Sequence, residues 1–271
     1  MKISFKMALF PCTKKEFTPF ALGTVFLSLL ALLLIFSGCA HQKKVDKLKE
    51  SSYVHYRLGN EYYKTGNIAD ALKEFTRAIS IYPEEPSYHL MLGFAYSARD
   101  LDKEAREEMQ KAVSLDPMFS EGHIGLASLY QKDGDWDGVI KECGLALKNI
   151  YYKTPETAYF NMGLAYYNKG DYEASLEHLK KAVAMKPGMA VSYYNMGLAF
   201  ERLKRSGEAV AAYRKAVELQ VEYMEPYYRL GVVLVKKSEK QEALQAFEKV
   251  VELAPGSSRA NSAREYMELL R

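Results

Sequence analysis

The chain has 271 residues, a formal net charge of +3 and 48% hydrophobic residues, enough for a large core. The excess of base sits in the first 38 residues, where four Lys face one Glu. Beyond them 33 basic and 33 acidic residues balance, which argues against a nucleic-acid partner.

The N-terminal stretch reads as a targeting segment. Met1–Phe20 carries Lys2, Lys6, Lys14 and Lys15, and Ala21–Ser37 is an uncharged, leucine-rich run that ends in Phe36-Ser37-Gly38-Cys39. A basic start, an apolar core and small residues before a cut site describe a secretory signal. The cysteine directly after Ser-Gly resembles the lipid-attachment residue of bacterial lipoproteins, although Phe36 stands where that motif usually has Leu. The resemblance implies cleavage after residue 38, acylation of Cys39, and anchoring at the periplasmic face of the outer membrane, since no Asp follows the cysteine. Several acyl chains on one residue give stable anchoring. An uncleaved signal anchor is the alternative, because the run approaches spanning length, and Met7 is an alternative start. Residues 39–51 are polar and basic and read as a tether.

From residue 52 the chain repeats. Gly59 and Gly93 are 34 residues apart, as are Gly163, Gly197 and Gly231 in turn, with Ala127 in the third copy. Other columns keep the same beat: Leu58, Leu92, Leu126, Met162, Met196, Leu230 before the small residue, and Phe75, Met109, Cys143, Leu179, Tyr213, Phe247 sixteen after it. Spacings of three, four and seven within a unit mark one face of a helix. Each unit is therefore two helices, joined at Thr65-Gly66-Asn67, Asp133-Gly134-Asp135 or Lys169-Gly170-Asp171 and ended by Pro83, Pro117, Pro187 or Pro255. This pattern resembles the tetratricopeptide repeat. It implies an all-α fold, a right-handed superhelical solenoid of six units: 52–85, 86–119, 120–155, 156–189, 190–223 and 224–257. Residues 258–271, with Ala260, Ala263, Tyr266, Met267 and Leu270 on one face, fit a capping helix.

The same columns dispose of most candidate chemistry. His55, His89 and His123 are also 34 apart, which puts them about one repeat, roughly 10 Å, from each other, too far to share a metal. They are read as core. Cys143 fills a column of large apolar residues and is read as a buried thiol without a disulfide partner, because Cys12 and Cys39 belong to the signal. His178 is placed on an outer face, and the pairs Glu84-Glu85 and Glu107-Glu108 on turns or solvated helix faces. The chain has no glycine-rich phosphate loop, no Gly-x-Ser-x-Gly and no Cys-x-x-Cys. No enzyme activity, cofactor, metal or small-molecule substrate is expected.

In the tetratricopeptide fold the first helix of each unit lines a concave groove. By that geometry the groove carries Tyr53, Tyr56, Asn60 and Tyr63, then Leu90 and Phe94, Ile124, Phe160, Leu164 and Tyr167, and finally Tyr194, Leu198, Tyr228 and Val232. An exposed apolar, aromatic stripe of this kind fits a protein partner. The third unit is two residues too long, and the excess falls in Asn149-Ile150-Tyr151-Tyr152-Lys153-Thr154-Pro155-Glu156. Together with the signal and the six units, this segment resembles the type IV pilus biogenesis/stability lipoproteins, the PilW/PilF or pilotin group. That likeness implies an outer-membrane scaffold that assists secretin assembly. A generic adaptor for another envelope complex, in outer-membrane protein insertion or cell-wall enzyme scaffolding, is the alternative.

Overall fold

A computed structural model describes the backbone of residues 19–271 and the side chains from residue 42 onward. The basic start of the signal and the side chains of the apolar run and of Cys39 lie outside the described residues. Among the described residues there are thirteen helices and no strand. Helix α1 (Pro19–Lys64) carries the first half of unit one. It is followed by α2 (Ile68–Ile81), α3 (Pro86–Ser97), α4 (Asp102–Leu115), α5 (Ser120–Asp133), α6 (Trp136–Ala146), α7 (Pro155–Lys169), α8 (Tyr172–Met185), α9 (Ala190–Arg202), α10 (Ser206–Leu219), α11 (Met224–Lys236), α12 (Lys240–Leu253) and α13 (Ser258–Leu270). Each helix packs on its neighbours in sequence, and each odd-numbered helix from α1 to α7 also touches the next odd-numbered one. This is the expected all-α solenoid. The residues read as a tether continue α1 rather than forming a separate coil.

The small residue of each unit is explained by what faces it. A methyl group added at Gly59 would stand 2.6 Å from the Phe75 ring, at Gly93 2.8 Å from Met109, at Gly163 2.7 Å from Leu179, and at Gly231 2.7 Å from the Phe247 ring. Gly197 faces Tyr213 in the same way. The two helices of a unit thus approach closely through glycine, and the facing large side chain fills the space. In unit three the relation inverts: Ala127 has the methyl, and its counterpart is the small Cys143, both fully buried.

The turn between the paired helices needs one left-handed residue. Gly66, Gly134 and Gly170 take it with φ of 78°, 74° and 84°. Asp100, Lys204 and Ser238 occupy the same column at φ near 60°, a conformation that costs a residue with a Cβ about 1 kcal/mol or more.

At the C-terminal end, α13 covers the last unit. Ser257 caps it by accepting from the Ala260 amide at 3.1 Å, Ala260 and Ala263 are buried, and Tyr266 stacks on Phe247 with centroids 5.0 Å apart. Among the described residues the first unit has no such cover. Leu58 is 41% exposed, whereas Leu92, Leu126 and Leu230 in its column are buried.

Candidate functional site: the concave groove

The predicted groove residues fall into three groups by exposure. Tyr53 is the most open, at 53%. Tyr56, Asn60, Tyr63, Phe94, Ile124, Phe160, Leu164, Tyr167, Tyr194, Leu198 and Val232 are half-buried. Leu90 and Tyr228 are buried; Tyr228 belongs to the core, and Leu90 reaches the groove only at the floor of a pocket. Leu90 packs among Met109, Leu126 and Leu129, and the Tyr228 ring meets Phe247 edge-on at 6.1 Å. The physical reason is the tight stacking of successive units, which encloses the side of each first helix that faces the next unit.

Four of these residues come together. Tyr56, Leu90, Phe94 and Ile124 line a pocket of about 460 Å³ with Ser87, Met91, Phe119, Glu121, Tyr152, Thr154 and Thr157. Helices α1, α3 and α5 supply three walls, and the long loop before α7 supplies the fourth. In that loop Ile150 and Tyr151 are 85% and 84% exposed, whereas Tyr152 turns inward and is 9% exposed. Burial raises the Tyr152 phenol pKa, against a hydrogen bond with Thr154 that lowers it. Asn149 shapes the loop: its side chain donates to the Met118 carbonyl at 3.0 Å and accepts from the Tyr151 amide at 2.9 Å. Sequence reasoning placed the bulge but not its destination.

The other half of the groove is more polar than the sequence suggested. Tyr194 lies against Tyr223 and Tyr213, at 5.3 and 6.0 Å between centroids. Tyr213 donates to Glu201 at 2.6 Å, and the Arg229 guanidinium sits 3.0 Å from the same carboxylate. Burial, with Glu201 adding to it, raises the Tyr213 pKa. Burial also pushes Tyr223 up to about 12. Arg259 covers the Tyr228 ring at 4.6 Å. Tyr213 itself is enclosed, whereas half-buried Tyr194 is open to the groove.

The histidines are turned to carboxylates of their own units. His55, His89 and His123 donate through Nδ1 to Glu74, Glu108 and Glu142 at 2.6, 2.6 and 2.7 Å, always nineteen residues on. The second ring nitrogen of His89 and of His123 donates to the carbonyl of Pro83 and of Pro117, at 2.9 and 3.1 Å. Both partners of His123 can only accept, so the doubly protonated ring satisfies both bonds. Burial works against that charge, but the bonds to Glu142 and Pro117 outweigh it and raise the His123 pKa. Burial likewise opposes the Glu142 charge, and His123 outweighs it, so the Glu142 pKa is lowered.

Two sequence expectations change accordingly. Glu108 is not on a solvated face, because His89 holds it half-buried. His178 is not on an outer face, because its ring stacks on Tyr166 at 5.0 Å and beside Tyr159 at 6.1 Å. Burial, with Lys181 nearby, lowers the His178 pKa. Among the described residues no group of three His, Cys, Asp or Glu is placed to hold a metal ion.

Tetratricopeptide-repeat family models match residues 52–85, 86–117, 154–222 and 194–258, between them more than half of the chain. The chain belongs to the tetratricopeptide-repeat family. Its members bind protein partners, and this chain is a protein-binding scaffold of that type. Over 93 residues it is 40% identical to the TPR repeat-containing thioredoxin TTL4 of Arabidopsis thaliana, covering 34% of this chain and 14% of that protein. It thus spans only a small part of that curated relative. Among solved structures it resembles Pseudomonas aeruginosa PilF, with a TM-score of 0.73 at 15% identity over 81% of this chain and 99% of that one. PilW, a type IV pilus biogenesis factor, superposes with a TM-score of 0.72 at 18% identity, over 79% of this chain and 98% of that one. The chain is a PilW/PilF-like tetratricopeptide-repeat protein in fold.

Proposed function

We propose that the protein is a lipid-anchored scaffold at the periplasmic face of the outer membrane. It grips a segment of a secretin subunit in its concave groove and assists assembly and localisation of that channel in type IV pilus biogenesis. The observation that carries this reading is the apolar pocket in the first half of the groove, walled by α1, α3, α5 and the inward Tyr152 of the bulge. Support for the pilus setting comes from the near full-length superposition on PilF and PilW and from the signal ending at Cys39.

Deletion of the gene tests it. Secretin should fail to form detergent-resistant multimers or to reach the outer-membrane fraction. Intact multimers and normal pilus extension in the deletion strain would refute it. A pull-down that recovers outer-membrane insertion factors or cell-wall enzymes and no secretin would assign the groove to another envelope complex. Cys39→Ala should leave the solenoid folded but absent from the outer-membrane fraction, and normal fractionation would remove the anchor from the reading.

A further inference from the structure

One charged side chain, Glu121, lines the pocket. Glu85, Glu121 and Glu156 stand at the starts of α3, α5 and α7, the three helices whose first turns surround its mouth. Glu156 is balanced by Lys186 at 3.7 Å. Glu85 accepts only from the Ser87 hydroxyl at 3.0 Å, and that bond leaves its charge in place. Glu121 lines the pocket, is exposed, and among the described residues has no basic partner within salt-bridge distance. The floor below is apolar: Tyr56, Leu90, Phe94, Phe119, Ile124 and Tyr152. A carboxylate at the start of a helix is favoured by the helix dipole, which accounts for Glu121 and Glu156 in the first turns of α5 and α7. It does not account for the place of Glu121 on the lining of an apolar cavity.

We infer that the pocket selects a partner segment in which a bulky apolar residue is followed or preceded, within about one helical turn, by Lys or Arg. The apolar side chain fills the cavity, and the cation meets Glu121 at the rim. Burying the apolar residue supplies affinity, and the rim charge supplies discrimination, because an acidic neighbour is repelled. This rests on the reading of the groove as the partner-binding surface and adds the chemistry of what it takes. The volume is within the usual range for ligand sites, about 300–1,000 Å³.

The test pans the full chain, in detergent micelles, against a phage-displayed library of random linear dodecapeptides, and measures the enriched sequences as fluorescein-labelled synthetic peptides. The expected peptides pair a bulky apolar residue with a nearby Lys or Arg. Their Kd rises at least tenfold with Phe94→Ser and at least fivefold with Glu121→Lys, a substitution on an exposed side chain that leaves the fold intact. Replacing the peptide's cation by Glu should restore binding to the Glu121→Lys protein and weaken binding to the unaltered one. Peptides that depend on Phe94 but show no basic preference and no response to Glu121→Lys overturn this inference alone. A library that yields no peptide sensitive to Phe94→Ser overturns the groove reading with it.

Discussion

The exchange of sizes at Ala127 and Cys143 makes a quantitative prediction. In the other five units a glycine faces a large side chain sixteen residues on, and a methyl at the glycine would come within 2.6–2.8 Å of that side chain at Gly59, Gly93, Gly163 and Gly231. Unit three already has the methyl, so its partner has to be small. Cys143→Leu rebuilds the large partner of unit four against that methyl. Overpacking of a closed core costs about 1–3 kcal/mol, and both positions are fully buried, so about 2–3 is expected. Ala127→Gly alone costs about 1 kcal/mol in helix propensity. If the sites were independent the double variant would lose about 3–4 kcal/mol. Because the glycine removes the clash, the double variant should lose about 1, a coupling of about 2–3 kcal/mol. Urea denaturation gives the global numbers, and hydrogen exchange in α5 and α6 locates them, since stacked units share stability mainly with their neighbours. Single-variant effects that add to within about 0.5 kcal/mol would refute the size-exchange argument.

Three further outcomes follow from the same structure. The His123–Glu142 pair, with both side chains 6% exposed, makes stability depend on pH. The raised His123 pKa contributes stability that is present below about 6.5 and lost as pH rises through the folded value. The lowered Glu142 pKa contributes stability that is present above about 4.5 and lost as pH falls through its folded value. Urea midpoints should therefore peak between these limits. Glu142→Ala should cost about 3 kcal/mol by stranding a buried charge, whereas His123→Tyr with Glu142→Ala, the pairing of units five and six, should recover most of it and flatten the pH profile. Tyr228→Ala should cost about 3 kcal/mol in stability, because the ring is buried against Phe247, and denaturant melts of the single variant check this. Burial pushes the Cys143 thiol up to about 12, so in a protein with Cys12→Ser and Cys39→Ser Ellman's reagent at pH 8 should label it only after denaturation, and fast labelling of that protein in its native state would contradict the enclosure.

The repeat period made the architecture legible, because every packing surface of this fold recurs at fixed spacing. It placed helix pairs, turns, cap and the column of small residues. It could not show how a column is satisfied. His55, His89 and His123 were readable as core, but their carboxylate partners lie nineteen residues on, on the second helix of the unit, and an acidic residue in a helix looks solvated until its partner is seen. The turn column illustrates the same limit: three glycines announce a left-handed residue, whereas Asp100, Lys204 and Ser238 do not. In the groove, the face of the first helices was legible, but the division between half-buried Tyr194 and buried Tyr228 depends on how closely the next element approaches. For Tyr228 that element is α13, whose Arg259 lies over the ring.

The arrangement of the polar pairs bears on where the binding site sits. Units one to three each carry His with Glu, unit four carries Tyr159 with His178, and units five and six carry Tyr193 with Ala212 and Tyr227 with Ala246. The same place in the repeat is thus filled by directional hydrogen bonds in the first half and by apolar contact in the second. In units two and three the histidine also grips the proline carbonyl that closes the preceding unit, so it fixes the angle between units as well as within them. Those are the units whose first helices, α3 and α5, wall the pocket. A groove whose walls are set by oriented bonds loses less freedom when a partner enters it than one held by apolar packing alone. The bulge then closes that section with Tyr152, so in the proposed scaffold the pocket has its shape before a partner enters.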